Sequence, residues 1–246
     1  IGPIAGISPF NFPLNLVVHK VAPCIASGNT MILKPASQTP LSALKLGAIS
    51  MEAGLPAGAL NILPCSAQMA EPLITDIRIK KLTFTGSPIV GWGLKKRCGR
   101  KRITLELGGN AGVIVHKDAD LDYATDRIIM GGFAYAGQTC ISVQRILVHN
   151  DIFEKFKDAF IKKVEALKTG DPLDENTDVG PMISEKDAER AETWVQEAEN
   201  SGAKILTGGQ RNKAILTPTV ITNVKPDMKV SCQEVFAPVV TLVRYS

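Results

Sequence analysis

The sequence predicts an α/β fold, with a mainly parallel sheet covered by helices on both faces. Two patterns carry that expectation. Short apolar runs alternate with helical stretches, and Gly, Pro, Ser and Asn mark the changes from one to the next. A third observation is size: 246 residues, 45% of them hydrophobic, leave room for one large domain or two smaller ones.

The elements follow in order. Pro3–Ile7 reads as a strand, and a helix runs through Leu14–Ala26 to a stop at Ser27-Gly28-Asn29. Thr30–Leu33 is a strand and Leu41–Ala53 a helix closed by Gly54 and Pro56. Leu60–Leu63 reads as a strand, Ala67–Ile74 as a short helix and Lys81–Phe84 as a strand. The tight turn Thr85-Gly86-Ser87 opens a helix over Ile89–Lys96, and Ile103–Leu107 is a further strand. Gly108-Gly109-Asn110 interrupts the rhythm, which sets the expected domains at 1–110 and 111–246. The second half reads as strand Gly112–Val115, helix Leu121–Tyr135, strand Ile146–His149 and helix Phe153–Leu167. A polar loop over Gly170–Gly180, helix Glu185–Ser201, strand Lys204–Leu206 and strands near Thr219–Ile221 and Val239–Val243 complete it.

Composition narrows the classes. The 28 basic and 24 acidic residues leave a net charge of +4. The densest basic stretch, Lys95-Lys96-Arg97 with Arg100-Lys101-Arg102, has no interleaved aromatics for base stacking, so it reads as a solvated helix end and no nucleic-acid partner is expected. Five cysteines, at 24, 65, 98, 140 and 232, are odd in number and lack CxxC spacing. That argues against a disulfide framework or a zinc site and for reduced thiols in a cytoplasmic protein. The three histidines show no ligand spacing, and no metal is expected. No apolar run approaches a membrane span.

Five places carry chemistry. Cys140 sits in the small-residue run Ala136-Gly137-Gln138-Thr139-Cys140, where a substrate can approach a nucleophilic thiol closely. Glu106 ends an apolar strand before Gly108-Gly109, where a carboxylate can act as a general base at the C-terminal edge of a sheet. Asn11, in Pro9-Phe10-Asn11-Phe12-Pro13, suits either of two roles: a helix N-cap, which the local sequence favours, or a donor to a developing oxyanion. Phe84-Thr85-Gly86-Ser87 joins a strand to a helix whose free amides favour a phosphate. Lys34 stands at a strand end before Pro35, either solvated or within reach of a cofactor hydroxyl.

Taken in order, these runs resemble the aldehyde dehydrogenase superfamily over the whole chain: Pro-Phe-Asn-Phe-Pro at 9–13, Leu-Lys-Pro at 33–35, Phe-Thr-Gly-Ser at 84–87, Glu-Leu-Gly-Gly at 106–109, Gly-Gln-Thr-Cys at 137–140 and Glu-Val-Phe-Ala-Pro at 234–238. The resemblance implies a Rossmann-like cofactor domain, incomplete here, beside a smaller α/β catalytic domain. It implies oxidation of an aldehyde to a carboxylic acid with NAD(P)+, through a cysteine thiohemiacetal and thioester. Cys140 is the implied nucleophile, Glu106 the implied base for the deacylating water, and Asn11 half of the oxyanion hole. Phe10, Lys34, Ser37, Gly86, Ser87, Leu107, Glu234 and Phe236 are the implied cofactor-binding residues. Small aldehydes are the implied substrates, and a homodimer or homotetramer the implied assembly. The Asp-rich run Leu173–Gly180 and Gln144-Arg145 resemble a branch acting on small hydroxy- or semi-aldehydes such as lactaldehyde.

Three departures from the family pattern matter. Ser37 stands where many NAD-preferring relatives carry a Glu that would repel a 2′-phosphate, so NADP is expected to be accepted. Ala237 replaces a usual Gly, which is tolerable if φ there is negative. The chain is also about half the expected family length, which suggests an internal portion of a longer protein. The alternative reading is a catalytically incomplete fragment that keeps the fold without turnover.

Overall fold

Small and β-branched side chains set the middle of the first sheet. In a computed structural model, which describes residues 1–246, β1 (Ile4–Ile7) is buried on both faces. It pairs in parallel with β2 (Met31–Lys34) on one side and β4 (Lys81–Gly86) on the other. β3 (Leu60–Ile62) and β5 (Arg102–Leu107) close the edges, and all five strands run parallel in the order β3-β2-β1-β4-β5. Successive residues of β1 feed different layers. Ile4 packs with Val17, Val21, Met31 and Leu33, whereas Ala5 packs with Ile74, Leu82, Phe84 and Leu94. The helices are α1 (Asn15–Ala26), α2 (Leu41–Glu52), α3 (Glu71–Thr75) and α4 (Pro88–Arg97). The order of strands reverses between β1 and β4, the switch point whose carboxyl ends form a crevice in open α/β sheets.

This first unit comprises Ile1–Gly108 and a second comprises Gly109–Ser246. The second begins with β6 (Gly112–Val115), α5 (Leu121–Phe133), β7 (Arg145–His149), α6 (Phe153–Glu165) and α7 (Glu185–Asn200). β8 (Lys204–Thr207) leads into a small antiparallel hairpin of β9 (Arg211–Asn212) and β10 (Ile215–Leu216). β11 (Thr219–Thr222), α8 (Lys229–Cys232) and β12 (Val239–Tyr245) follow. Its sheet has the order β6-β7-β12-β11-β8, with only β8 antiparallel to its neighbour. Two helix starts follow capping chemistry. The Asp120 carboxylate accepts from Tyr123 N, and the Ser184 hydroxyl accepts from Asp187 N, both at 3.1 Å. The core is aromatic: Phe153, Phe156, Phe160 and Val164 form the buried stripe of α6, and the rings of Phe156 and Phe160 stack at 5.5 Å.

Several boundaries differ from the sequence expectation, each for a local reason. The helix expected over Leu121–Tyr135 ends at Phe133, because Tyr135 and Ala136 take left-handed φ values of 57° and 53°. The helix expected over Ala67–Ile74 starts at Glu71, with Pro72 in its first turn. The hairpin around Lys213 was not anticipated; its two-residue strands are too short to show a period. No helix is long and apolar enough to cross a membrane.

Phe160 is fully buried between Phe156 and Phe133. Phe160→Ala is expected to cost about 3–5 kcal/mol by cavity formation. Denaturant unfolding checks this, and a loss below about 1 kcal/mol would contradict the packing described.

Candidate functional site

Several of the sequence-selected residues of the first unit gather at the carboxyl ends of its strands. The turn after β1 is tied to β2 by Ser8 N, which donates to the Lys34 carbonyl at 3.2 Å, and Thr39 Oγ1 donates to the Phe10 carbonyl at 3.3 Å. Within that turn Asn11 is buried, with Phe10 and Phe12 half-buried on either side. The helix-cap expectation for Asn11 fails. α1 begins four residues later, its cap position is Leu14, and the Phe12 carbonyl accepts from Leu16 N at 2.9 Å. The cap residue makes no side-chain hydrogen bond to the first turn, so backbone bonds start this helix.

Lys34 also differs from a solvated strand end. It is buried, and its ammonium donates to the Pro35 carbonyl at 3.1 Å. Ser37 lies exposed on the turn that follows. At the end of β4, Gly86 passes so close to the Phe84 ring that a Cβ would lie 2.6 Å from it, so only glycine fits without a shift. Ser87 takes the cap position of α4, is exposed, and makes no side-chain capping bond. Its hydroxyl and the first-turn amides of a ten-residue helix form an anion-favouring end.

Glu106 is exposed on β5 beside Thr85, its register partner on β4. Leu107 follows it, half-buried. Lys20 was missed from the sequence. It lies on the buried stripe of α1 with Val17, Val21 and Cys24, where periodicity alone calls for an apolar residue. Its ammonium donates to Thr85 Oγ1 at 2.7 Å and to Thr83 Oγ1 at 3.4 Å. Burial pushes its pKa down to about 8, against the pull of Glu106, while Lys81 adds to the lowering. A buried lysine electrostatically coupled to the proposed base is the signal that a count of charges on a helical wheel could have raised.

In the second unit Cys140 is exposed on the tight turn Thr139–Ser142, closed by Ser142 N donating to the Thr139 carbonyl at 3.1 Å. Gln138 is buried. Its Nε2 donates to the Tyr135 carbonyl at 3.2 Å and its Oε1 accepts from Ile183 N at 2.9 Å. Gly137, at φ 66°, lies against the Ala237 carbonyl, where any Cβ would collide with backbone. The segment carrying Glu234 therefore packs directly behind the thiol-bearing turn. Glu234 Oε1 accepts from Gly109 N at 3.2 Å, and burial raises its pKa against the opposing pull of that amide and of Arg190. Phe236 is half-buried at φ 52°, whereas Ala237 avoids positive φ, the condition under which alanine is tolerated there.

The model of the aldehyde dehydrogenase family matches residues 1–246. The chain belongs to the aldehyde dehydrogenase family. Among curated relatives, it is 50% identical to a 3-sulfolactaldehyde dehydrogenase of Priestia aryabhattai over 246 residues, which are all of this chain and 52% of that protein. Among solved structures, it superposes with a TM-score of 0.97 on aldehyde dehydrogenase 21 from Physcomitrella patens, determined in complex with the reaction product succinate. Identity is 50%, over 100% of this chain and 51% of that one. A glyceraldehyde-3-phosphate dehydrogenase of Methanocaldococcus jannaschii, complexed with NADP, gives a TM-score of 0.96 at 42% identity, over 100% of this chain and 55% of that one. The chain thus spans about half the length of the family members it matches.

The Lys20 environment has a pH signature. Between about pH 8 and the ordinary 10.5, the folded chain has released a proton that the unfolded chain retains. Stability therefore rises with pH across that window, and the cost of burying the charge is fully present below pH 8. Carbon-13 lysine NMR is expected to show one side chain titrating near pH 8, absent in Lys20→Met. Titration of every lysine above pH 10 would contradict the assignment.

Proposed function

We propose that this chain carries the cofactor-binding and nucleophile-bearing parts of an NAD(P)-dependent oxidation of a small aldehyde to a carboxylic acid. The observation that carries the reading is Cys140: an exposed thiol on a turn pinned by Gln138 and Gly137, within a chain that the family model matches from end to end.

In this reading residues 1–110 form the cofactor-binding domain, and 111–246 supply the thiol together with Glu234 and Phe236 for the nicotinamide end. The donor set fits a dinucleotide. Ser87, unused in capping, and Gly86 suit the pyrophosphate at the start of α4. Lys34 and Ser37 suit the adenosine ribose, and Phe10 and Leu107 are apolar neighbours for the rings. Glu234 suits the hydroxyls of the nicotinamide ribose, and Phe236 its ring. Ser37 carries no negative charge to repel a 2′-phosphate, so NADP is accepted.

Cys140 as thiolate adds to the aldehyde carbon and forms a C–S bond, giving a thiohemiacetal oxyanion. The Asn11 amide and the Cys140 backbone N–H donate to that oxygen; each such donor is worth about 3 kcal/mol in a transition state. A nicotinamide held by Glu234 and Phe236 would supply the hydride acceptor, and loss of hydride from the thiohemiacetal carbon would leave a thioester on Cys140. Glu106 then takes a proton from water, whose oxygen attacks the thioester carbon. The C–S bond breaks, the acid departs and the thiolate is restored.

The relatives' names point to the substrate class. One acts on a sulfonated aldehyde and another yields succinate. The chain is accordingly assigned to short aldehydes bearing an anionic group, in the cytoplasm, within a homodimer or homotetramer and without a nucleic-acid partner.

Reduced cofactor formed from short sulfonated or carboxylated aldehydes, with NADP and with NAD, tests this on the intact protein. Turnover with NADP at a kcat/KM at least comparable to that with NAD is expected. Cys140→Ala should lower turnover by about a thousandfold or more. No aldehyde-dependent reduction, or an unchanged rate in Cys140→Ala, would overturn the reading; a strong NAD preference would overturn the role of Ser37.

A further inference from the structure

The stretch from Val230 to Val235 is short of regular structure, yet its carbonyls are not left to solvent. α8 is only a four-residue helix, and the extended residues after it join no sheet. Side chains from three distant places serve them instead. Asn110 Nδ2 donates to the Ser231 and Gln233 carbonyls at 2.7 and 3.2 Å. Arg190, stacked over Trp194, donates to the Val235 carbonyl at 2.8 Å.

Gln144 contributes most. It is buried at 4% exposure, its Nε2 donates to the Val230 carbonyl at 3.0 Å and the Gln233 carbonyl at 2.7 Å, and its Oε1 accepts from Val235 N at 2.8 Å. Two carbonyls on one side and an N–H on the other dictate the orientation of the amide. Its bonds bracket Glu234 on both sides. Its own backbone is held by β12, through Thr241 N donating to the Gln144 carbonyl at 2.7 Å. It lies four positions after Cys140.

We propose that Gln144 is a positioning residue for Glu234: one buried amide presents the ribose-binding carboxylate from the same strand entry that carries the nucleophile. The proposal rests on the reading of Glu234 as a ribose ligand. Gln144 touches no reacting atom. No hydrophobic residue of its size reproduces the three bonds, and a carboxylate would keep the acceptor while setting a negative charge against two carbonyl oxygens.

The test is a double-mutant cycle on the intact protein, read by calorimetric binding of NADP and by steady-state kinetics. Gln144→Met is expected to weaken NADP binding and raise its KM about tenfold, with less than a twofold change in the KM for aldehyde. In a Glu234→Gln background, the same change should add less than twofold, because its effect passes through the carboxylate. Gln144→Glu, close in shape, is the second variant should Gln144→Met fail to fold, with the same outcome expected. Unchanged NADP affinity in a folded variant, or full additivity with Glu234→Gln, would overturn the proposal. A protein that binds neither NADP nor NAD would instead overturn the functional reading beneath it.

Discussion

The second unit depends on a backbone contact that only glycine permits. Gly137 lies against the carbonyl of Ala237, and the two positions are far apart in sequence. A methyl group in that space would meet main chain, which cannot move aside as a flexible side chain can. The left-handed conformations of Tyr135, Ala136 and Gly137 bring the chain out of α5 and into this contact. Such conformations cost of order 1–3 kcal/mol each in non-glycine residues and persist only where the surroundings hold them. Here Gln138, bonded to Tyr135 and Ile183, and the Ala237 backbone against Gly137 are part of those surroundings, while Gln144 is bonded to the Val230–Val235 stretch. The exposed thiol thus stands on a turn whose flanks are fixed by buried amides.

The first unit solves a different problem. A doubly wound sheet leaves the carboxyl ends of β1 and β4 open where the strand order reverses. The turn bearing Asn11 follows β1, and Gly86-Ser87 follows β4. Glycine at 86 lets the strand end pass over Phe84, and the serine after it leaves its hydroxyl uncommitted. Beneath, Lys20 occupies a place on α1 that packing would give to an apolar side chain. Its two threonine partners only partly offset the burial of its charge, which is why its pKa falls despite the attraction of Glu106.

Much of this was legible in the sequence. The alternation of apolar runs with 3.6-residue periodicity is a local property, so β1, β2, β4 and β5 and helices α1, α2, α6 and α7 could be read from it. The motif residues were legible as an ordered set, each weak by itself. Tertiary events were not. Nothing in the sequence near Tyr135 announces φ above zero at a tyrosine, and the end of α5 was therefore misplaced. The choice of a cap for Asn11 followed a sound local preference, which lost to a helix started by backbone bonds at Leu14. The three bonds of Gln144 reach 86 to 91 residues along the chain. His116 and His149, 33 residues apart, meet at 5.2 Å only because β6 and β7 are adjacent. Separations of that size are invisible to any pattern read in a window.

The proposed chemistry requires that Cys140 become acylated during turnover. Slowing deacylation without disturbing the thiol should make that species accumulate. Intact-mass and peptide mass spectrometry of a Glu106→Gln protein, quenched in acid during reaction with aldehyde and NADP, measures it directly. An added acyl mass mapped to Cys140, dependent on both substrate and cofactor, is expected. An acyl group on Cys24, Cys65, Cys98 or Cys232, or no covalent adduct while turnover continues, would contradict it.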